Sequence, residues 1–187
     1  MSRTVTLMAL MLAGVTGTGM QTDPGKLSSQ ASQSPHPIRG VWRNIERVIP
    51  GATNPGDRRD PFAHVPAGTQ RDVQPGLLIF TEKHYSRTTD IAVQPRPTAD
   101  YANPGKPTLE ELQARWGPFA ANAGTYELSG DTLTLRALVS KEPRDQTSGG
   151  FARLRVQMDG NTLSLTPFER SDGPIRAGVM SKYVRVE

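Results

Sequence analysis

Two segments of this chain share one pattern, and that pattern constrains the fold more than any other feature of the sequence. Gly124–Leu135 and Leu154–Leu165 each contain a run of alternating polar and apolar residues, a turn with glycine, and a second alternating run. The turns are Gly130-Asp131 and Gly160-Asn161. Alternation with a period of two is typical of a strand with one buried face, and a two-residue glycine turn is typical of a hairpin. The sequence therefore predicts two β-hairpins.

The turn positions also predict which side chains of the hairpins share a face. A two-residue loop at each turn places Leu128 opposite Leu133 and Met158 opposite Leu163. A shift of either turn by one residue changes the pairing partners but not the faces, so the assignment of faces is independent of the turn type. The predicted inward set is Tyr126, Leu128, Leu133, Leu135, Leu154, Val156, Met158, Leu163 and Leu165.

Other strands are predicted where β-branched and aromatic runs are bounded by proline, glycine or a tight turn. These runs are Ile38–Val48, Leu77–Thr81, His84–Ile91 and Ile175–Val186. Together with the two hairpins they make eight strands in sequential order. A sheet of this kind closes into a barrel, because closure removes the unpaired edge strands. The predicted fold is all-β: an eight-stranded up-and-down antiparallel barrel.

Two proline-rich segments and one short helix interrupt the strands. The segments are residues 50–75 and 94–107, and both are predicted as long loops. The helix is predicted over Thr108–Trp116, because Thr108 can cap it and Glu111 completes a capping box. Leu109, Leu112 and Trp116 share one face of this helix, and Gly117-Pro118 ends it. We expect the two loops and the helix to cover one end of the barrel.

The N-terminal residues have the order of a secretory signal peptide. Arg3 is followed by the uncharged apolar run Val5–Val15, and then by small residues at 17–19. We predict a signal peptide over residues 1–20, a polar disordered linker over residues 21–37 and a barrel domain over residues 38–187. The alternative is a buried N-terminal helix, but the polar linker gives such a helix nothing to pack against. The prediction is a periplasmic or secreted protein.

Composition excludes several kinds of chemistry. The chain has no cysteine, so disulfides, thiolate metal sites, a cysteine nucleophile and a lipidated cysteine are all excluded. The formal net charge is only +4, and the basic residues are scattered rather than clustered as in nucleic-acid-binding proteins. The sequence contains no Gly-x-Ser-x-Gly, His-Glu-x-x-His, P-loop or Gly-x-Gly-x-x-Gly motif. We therefore predict no nucleic-acid partner, membrane anchor, metal, cofactor or catalytic residue.

Several motifs together resemble the bacterial lipocalin-like domain family over residues 38–187. They are Gly40-Val41-Trp42, the segment Pro75–Thr81, Gly124-Thr-Tyr126 and the two hairpin repeats. The resemblance implies that Trp42 closes the narrow end of the barrel and packs on a basic residue of the last strand, which would be Arg185 or Lys182. The 50–75 insertion and the position of the helix within the strand order depart from the family pattern.

The barrel and the resemblance together predict that the protein binds a small lipophilic or amphipathic molecule. The polar candidates for its site include His84, Tyr85 and Arg87, and a buried arginine would mark a carboxylate pocket. Arg153 and Arg155 are predicted to point outward. The predicted ligand-binding residues are Phe80, His84, Tyr85, Tyr126, Leu135, Leu154, Val156 and Tyr183, with Gly40, Trp42 and Arg185 as structural residues of barrel closure.

Two alternatives to a ligand-binding protein stay open. A barrel enzyme of isomerase or cyclase type needs a titratable residue inside the barrel, for which Glu82 and His84 are the candidates. A barrel filled by its own side chains would instead be an interaction module that contacts other proteins through its long loops.

Overall fold

A computed structural model describes residues 37–51, 65–98 and 100–187. The predicted signal peptide, residues 21–36 of the predicted linker and residues 52–64 of the predicted 50–75 loop lie outside the described residues.

In the described part of the chain, ten strands form one antiparallel sheet. In chain order they are β1 (Gly40–Ile49), β2 (Gly68–Gln70), β3 (Gly76–Phe80), β4 (His84–Asp90), β5 (Phe119–Ser129), β6 (Thr132–Ser140), β7 (Ala152–Asp159), β8 (Thr162–Arg170), β9 (Gly173–Pro174) and β10 (Met180–Arg185). All except the short strands β2 and β9 belong to a closed barrel of eight strands.

The barrel closes through β10, which pairs with β1 on one side and with β8 on the other. Tyr183 shows this position, because it lies opposite Asn44 of β1 and also opposite Leu163 of β8. The other barrel strands pair in sequential order from β1 to β8. The predicted fold, an all-β up-and-down antiparallel barrel of eight strands, is confirmed.

The registers of the two predicted hairpins are also confirmed. Ser129 pairs with Thr132 across Gly130-Asp131, and Met158 pairs with Leu163 near the second turn. Gly130 has a φ of 58° and Gly160 a φ of 54°. Backbone of this left-handed kind is accessible to glycine without a steric cost, which is why glycine stands at both turns.

Two short strands differ from the prediction. The last barrel strand begins at Met180, not at Ile175, and the short strand Gly173–Pro174, which was not predicted, pairs with the end of β8. A proline has no N–H to donate to a sheet, so it can join only at the edge of a ladder. Within the predicted 50–75 loop, Gly68–Gln70 pairs with the end of β1. Three residues are too few for an alternating pattern to show in the sequence.

The two ends of the barrel have different connections, and we name them accordingly. At the hairpin end, the turns at residues 81–83, 130–131 and 160–161 join neighbouring strands. At the loop end, long connections follow β1, β4, β6 and β8. The helix α1 (Leu109–Trp116) and a 3₁₀ helix (Pro143–Gln146) lie in two of these connections. The predicted loops therefore leave the barrel at the same end.

The helix α1 has the predicted capping box. Thr108 accepts a hydrogen bond from the backbone N–H of Glu111, whose carboxylate accepts from the N–H of Thr108 at 2.7 Å. Leu109 is 70% exposed and Trp116 is 52% exposed, and no residue of the helix is buried. Among the described residues there is no helix with the length and apolar character needed to cross a bilayer.

The core is a cluster of buried side chains inside the barrel. Its members are Ile38, Trp42, Leu78, Phe80, Tyr85, Leu133, Leu135, Leu154, Val156, Leu163, Leu165 and Tyr183. Tyr126 and Leu128 are half-buried against it.

Met158 is the exception in the predicted inward set, since it is 37% exposed. The pairing of β7 with β6 ends at Arg155, so the last residues of β7 extend past β6. Met158 therefore lacks neighbouring side chains on that side.

Candidate functional site

At the hairpin end, Trp42 is fully buried beneath Arg185. The guanidinium carbon of Arg185 lies 4.2 Å from the centre of the Trp42 ring. The same guanidinium donates to the carbonyl of Pro37 at 2.8 Å and to that of Arg39. Of the two basic residues considered for this position, Lys182 instead lies opposite Glu46.

Gly40 leaves the space that this arrangement needs. Its φ is 129°, and a Cβ added there would lie 2.6 Å from Nη1 of Arg185. The glycine, the tryptophan and the arginine therefore form one plug at the hairpin end.

The interior changes from apolar to polar toward the loop end. Along β1, buried Trp42 is followed on the inner side by Asn44 and Arg47, both buried. On β4, Arg87 shares the inner face with Tyr85, and Asn122 of β5 lies opposite Arg87. We name these four residues the interior polar cluster: Asn44, Arg47, Arg87 and Asn122.

Arg47 is the most deeply buried charged residue of this cluster, with 2% of its surface exposed. Its Nη2 donates to the Thr89 hydroxyl at 3.1 Å and to the Asp90 carbonyl at 2.7 Å. Burial lowers the pKa of Arg47; negative charge at Tyr183 and Asp90 acts in the opposite direction, and the positive charge of Arg87 lowers it further. An arginine remains charged even so, because its pKa in water is far above neutrality.

Each member of the interior polar cluster has a buried atom without a hydrogen-bond partner in the described part of the chain. These atoms are Oδ1 of Asn44, Nη1 of Arg47, Nε of Arg87 and Oδ1 of Asn122. The amide nitrogen of Asn44, in contrast, donates to the carbonyl of Lys182 at 3.1 Å. Buried polar atoms in proteins are nearly always paired, since leaving one unpaired is costly. These four atoms are therefore the hydrogen-bonding groups that the described residues leave unused in the interior.

A β-bulge places Arg47 inside the barrel. Strict alternation from Trp42 would bring Asn44 and Glu46 to the inner face and Arg47 to the outer face. The register of β1 against β10 shifts between Asn44 and Glu46, and a bulge of this kind inverts the alternation that follows. Regular alternation along β1 therefore does not predict that the side chain of Arg47 faces the interior.

The predicted ligand-binding residues divide into three groups. Tyr126 is half-buried, with its ring centre 4.9 Å from that of Phe80 and its hydroxyl donating to the carbonyl of Thr81 at 2.8 Å. His84 is exposed, because Tyr85 takes the inner face of β4 and the residue before it must point outward. The remaining residues are buried in the core: Phe80, Tyr85, Leu135, Leu154, Val156 and Tyr183.

The exposed position of His84 bears on the alternative of a barrel enzyme. His84 and Glu82 both lie exposed at the hairpin end, outside the barrel interior. Neither of them supplies the interior acid or base that a barrel enzyme needs.

Arg153 and Arg155 point outward, as the alternation predicts. Arg153 pairs with Glu169 at 2.7 Å, and Arg155 pairs with Asp131 at 2.8 Å.

At the loop end, polar contacts connect α1 to the barrel. The carboxylate of Asp90 is 2.5 Å from Nε of Arg96, and Nη1 of Arg96 donates to the carbonyl of Arg115 at 2.9 Å. Lys141 donates to the carbonyls of Gly117 at 3.1 Å and Phe119 at 2.7 Å. These contacts fix the C-terminal end of the helix beside the start of β5.

Two surface depressions lie outside the barrel and contain no member of the interior polar cluster. One, of about 320 Å³, lies beside α1 and is lined by Tyr101 and Arg115. The other, of about 360 Å³, lies on the outer side of β7, β8 and β10 near Gln157. Among the residues that the structure describes, no group of three histidine, aspartate or glutamate side chains is arranged to hold a metal ion.

No family model, no curated protein and no solved structure matches this chain. The resemblance to the bacterial lipocalin-like family therefore stays a prediction from the motifs. The candidate site rests on the geometry of the barrel itself.

Proposed function

We propose that this protein binds a small amphipathic molecule at the loop end of its barrel. The observation that carries the proposal is the interior polar cluster, in which each of the four side chains has a buried hydrogen-bonding atom without a partner in the described part of the chain. The polar part of the ligand would contact this cluster, and its apolar part would lie against the neighbouring aromatic rings. We also propose export to the periplasm or the medium, on the sequence of residues 1–20 alone.

The position within the barrel follows from how the interior is filled. Near the hairpin end, Trp42, Leu133 and Leu163 are fully buried against one another within a continuous apolar cluster. The apolar side chains that fill this part of the interior have no donors or acceptors for the polar group of a ligand. Toward the loop end the side chains are polar and incompletely paired, and convergent polar groups beside apolar walls are typical of small-molecule sites.

Native mass spectrometry of the protein purified gently from its own source tests this proposal. We expect a bound small molecule that is lost on denaturation. In Ala120→Phe, a bulky ring at the position opposite Thr89 would occupy the loop end of the interior and reduce the bound fraction. Ala121→Phe adds the same ring to the opposite face of β5 and is the matched control. Protein that is folded and yet carries no small molecule would contradict the proposal.

A second candidate function, contact with another protein, is favoured by the exposed apolar side chains of α1. Leu109 and Trp116 are more than half exposed, and no residue of this helix is buried. Chemical cross-linking in cell extracts distinguishes the two functions, because Lys106 and Lys141 lie close to the ends of the helix. Cross-links to one partner that disappear in a Leu109→Ser, Trp116→Ser variant, together with an empty barrel, would favour the interaction module.

A further inference from the structure

We infer that Arg47 and Arg87 bind a carboxylate group of the ligand. The inference rests on the proposed function and specifies the chemistry of the polar group that enters the barrel. It goes beyond an amphipathic ligand in general, because it requires an anion.

The first argument is that two guanidinium N–H groups of the cluster have no acceptor among the described residues. Nη1 of Arg47 and Nε of Arg87 are both buried N–H donors without an acceptor in the described part of the chain. Arg47 is 2% exposed and has its other terminal nitrogen held by Thr89 and Asp90. Arg87 projects from the inner face of β4, two residues after Tyr85. Two donors on neighbouring guanidinium groups suit an acceptor with two oxygens.

The second argument is the charge of the interior. Within the described residues, neither Arg47 nor Arg87 forms an ion pair. Arg47 contacts the backbone of Asp90, but the side-chain oxygens of Asp90 bind Arg96 and the N–H of Ala92. Arg47 is buried and Arg87 is half-buried, and neither guanidinium has a carboxylate of the described residues in direct contact, so an anionic ligand would supply the missing partner.

The third argument distinguishes a carboxylate from an inorganic anion. The buried rings of Tyr85 and Tyr183 share the inner faces with the cluster, since Tyr183 lies opposite Asn44. The group attached to the anion would therefore contact aromatic surface. A carboxylate on a carbon skeleton would bind the guanidinium groups and also pack against these rings. Free phosphate would bind the guanidinium groups but has no apolar part to contact the rings.

Thermal unfolding of the full chain with sodium benzoate tests the inference against sodium chloride, sodium phosphate and benzyl alcohol. We expect benzoate to raise the Tm saturably at constant ionic strength, and benzyl alcohol, which has the same ring without the charge, to bind at least tenfold more weakly. In Arg47→Gln and in Arg87→Gln the apparent affinity for benzoate should fall at least tenfold. Arg136→Gln removes an exposed arginine of β6 and should leave the benzoate response unchanged.

The outcomes separate this inference from the function on which it rests. If benzoate and benzyl alcohol raise the Tm equally and Ala120→Phe abolishes both effects, the inference of a carboxylate is wrong. The proposal of an amphipathic ligand in the barrel then still holds. A response to phosphate as large as that to benzoate would overturn the carboxylate as well. A benzoate response that both glutamine variants retain would show that these arginines do not bind it. If benzoate, phosphate and benzyl alcohol all leave the Tm unchanged and mass spectrometry finds no ligand, the proposed function itself is overturned. If Arg47→Gln does not fold, Arg87→Gln alone decides the role of the arginines.

Discussion

The guanidinium of Arg185 lies over the indole ring of Trp42, with 4.2 Å between its central carbon and the ring centre. The two residues are direct partners in the pairing of the first and the last barrel strands. Trp42 in turn donates its indole N–H to the carbonyl of Ile38 at 2.8 Å. The contact therefore joins the two strands whose pairing closes the sheet, and it seals the hairpin end of the interior.

Replacement of Arg185 by alanine should destabilise the barrel. The variant loses a cation–π contact and hydrogen bonds from a charged donor to two backbone carbonyls, which together are worth about 2 kcal/mol in the free energy of unfolding. Urea unfolding followed by far-UV circular dichroism measures this loss. Arg136→Ala, at an exposed position, should change the free energy by less than about 0.5 kcal/mol. Equal effects of the two substitutions would contradict the prediction that the contacts of Arg185 stabilise the barrel.

A side chain at Gly40 should be more costly than at a glycine of ordinary conformation. The φ of 129° is rarely adopted by other residues, and the added Cβ would lie 2.6 Å from Nη1 of Arg185. Strain of this kind costs about 1–3 kcal/mol before the steric clash is included. Gly105→Ala is the control, because its nearest neighbour would be 3.7 Å away. Chemical denaturation of both variants checks the prediction, which fails if Gly40→Ala is as stable as Gly105→Ala.

The cross-strand pair Met158 and Leu163 should respond unequally to truncation. Leu163 is 0% exposed and Met158 is 37% exposed, although they face each other in the same hairpin. Leu163→Ala removes fully buried methyl groups and should cost about 3 kcal/mol, whereas Met158→Ala should cost less than about 1 kcal/mol. Midpoints of urea unfolding give the comparison. A larger loss at Met158 would mean that the end of β7 is covered.

Tyr85 should ionise later than an exposed tyrosine. Burial raises its pKa from 10.0 to about 12; the charge of Arg87 opposes this shift and that of Asp145 adds to it. A raised pKa in the folded state means that folding favours the neutral phenol. This contribution to stability is complete below about pH 10 and is lost as the pH rises toward 12.

Spectrophotometric titration of tyrosinate absorbance tests this prediction, with circular dichroism recorded in parallel to follow the fold. Tyr85→Phe should remove the ionisation step near pH 12 and should flatten the fall in stability above pH 10. If the variant keeps that last step, another tyrosine is responsible for it.

The hairpins and the capped helix could be predicted because their signals are local. The partners of Leu128 and Met158 follow from the position of a two-residue turn, which lies within a few residues of each. The capping box at Thr108 and Glu111 likewise depends on residues three apart. The alternation that follows from the turn correctly places Leu133 inside, since side-chain direction in a regular strand has a period of two.

The interior polar cluster could be predicted only in part. Arg87 was recognisable as a polar candidate on a strand, but its partner Asn122 lies in a strand without clear alternation. Arg47 faces the interior only because β1 has a bulge against β10, and the residues that form this pairing are more than 130 positions apart.

The hairpin registers and the start of the helix could be predicted, because each depends on residues that lie within a few positions of one another. Local signals did not predict which end of β7 is left uncovered, whether the apolar face of α1 is buried, or whether Glu46 or Arg47 enters the barrel. These outcomes depend on strands that are distant in the chain, and their pairing fixes side-chain direction wherever the regular alternation is interrupted.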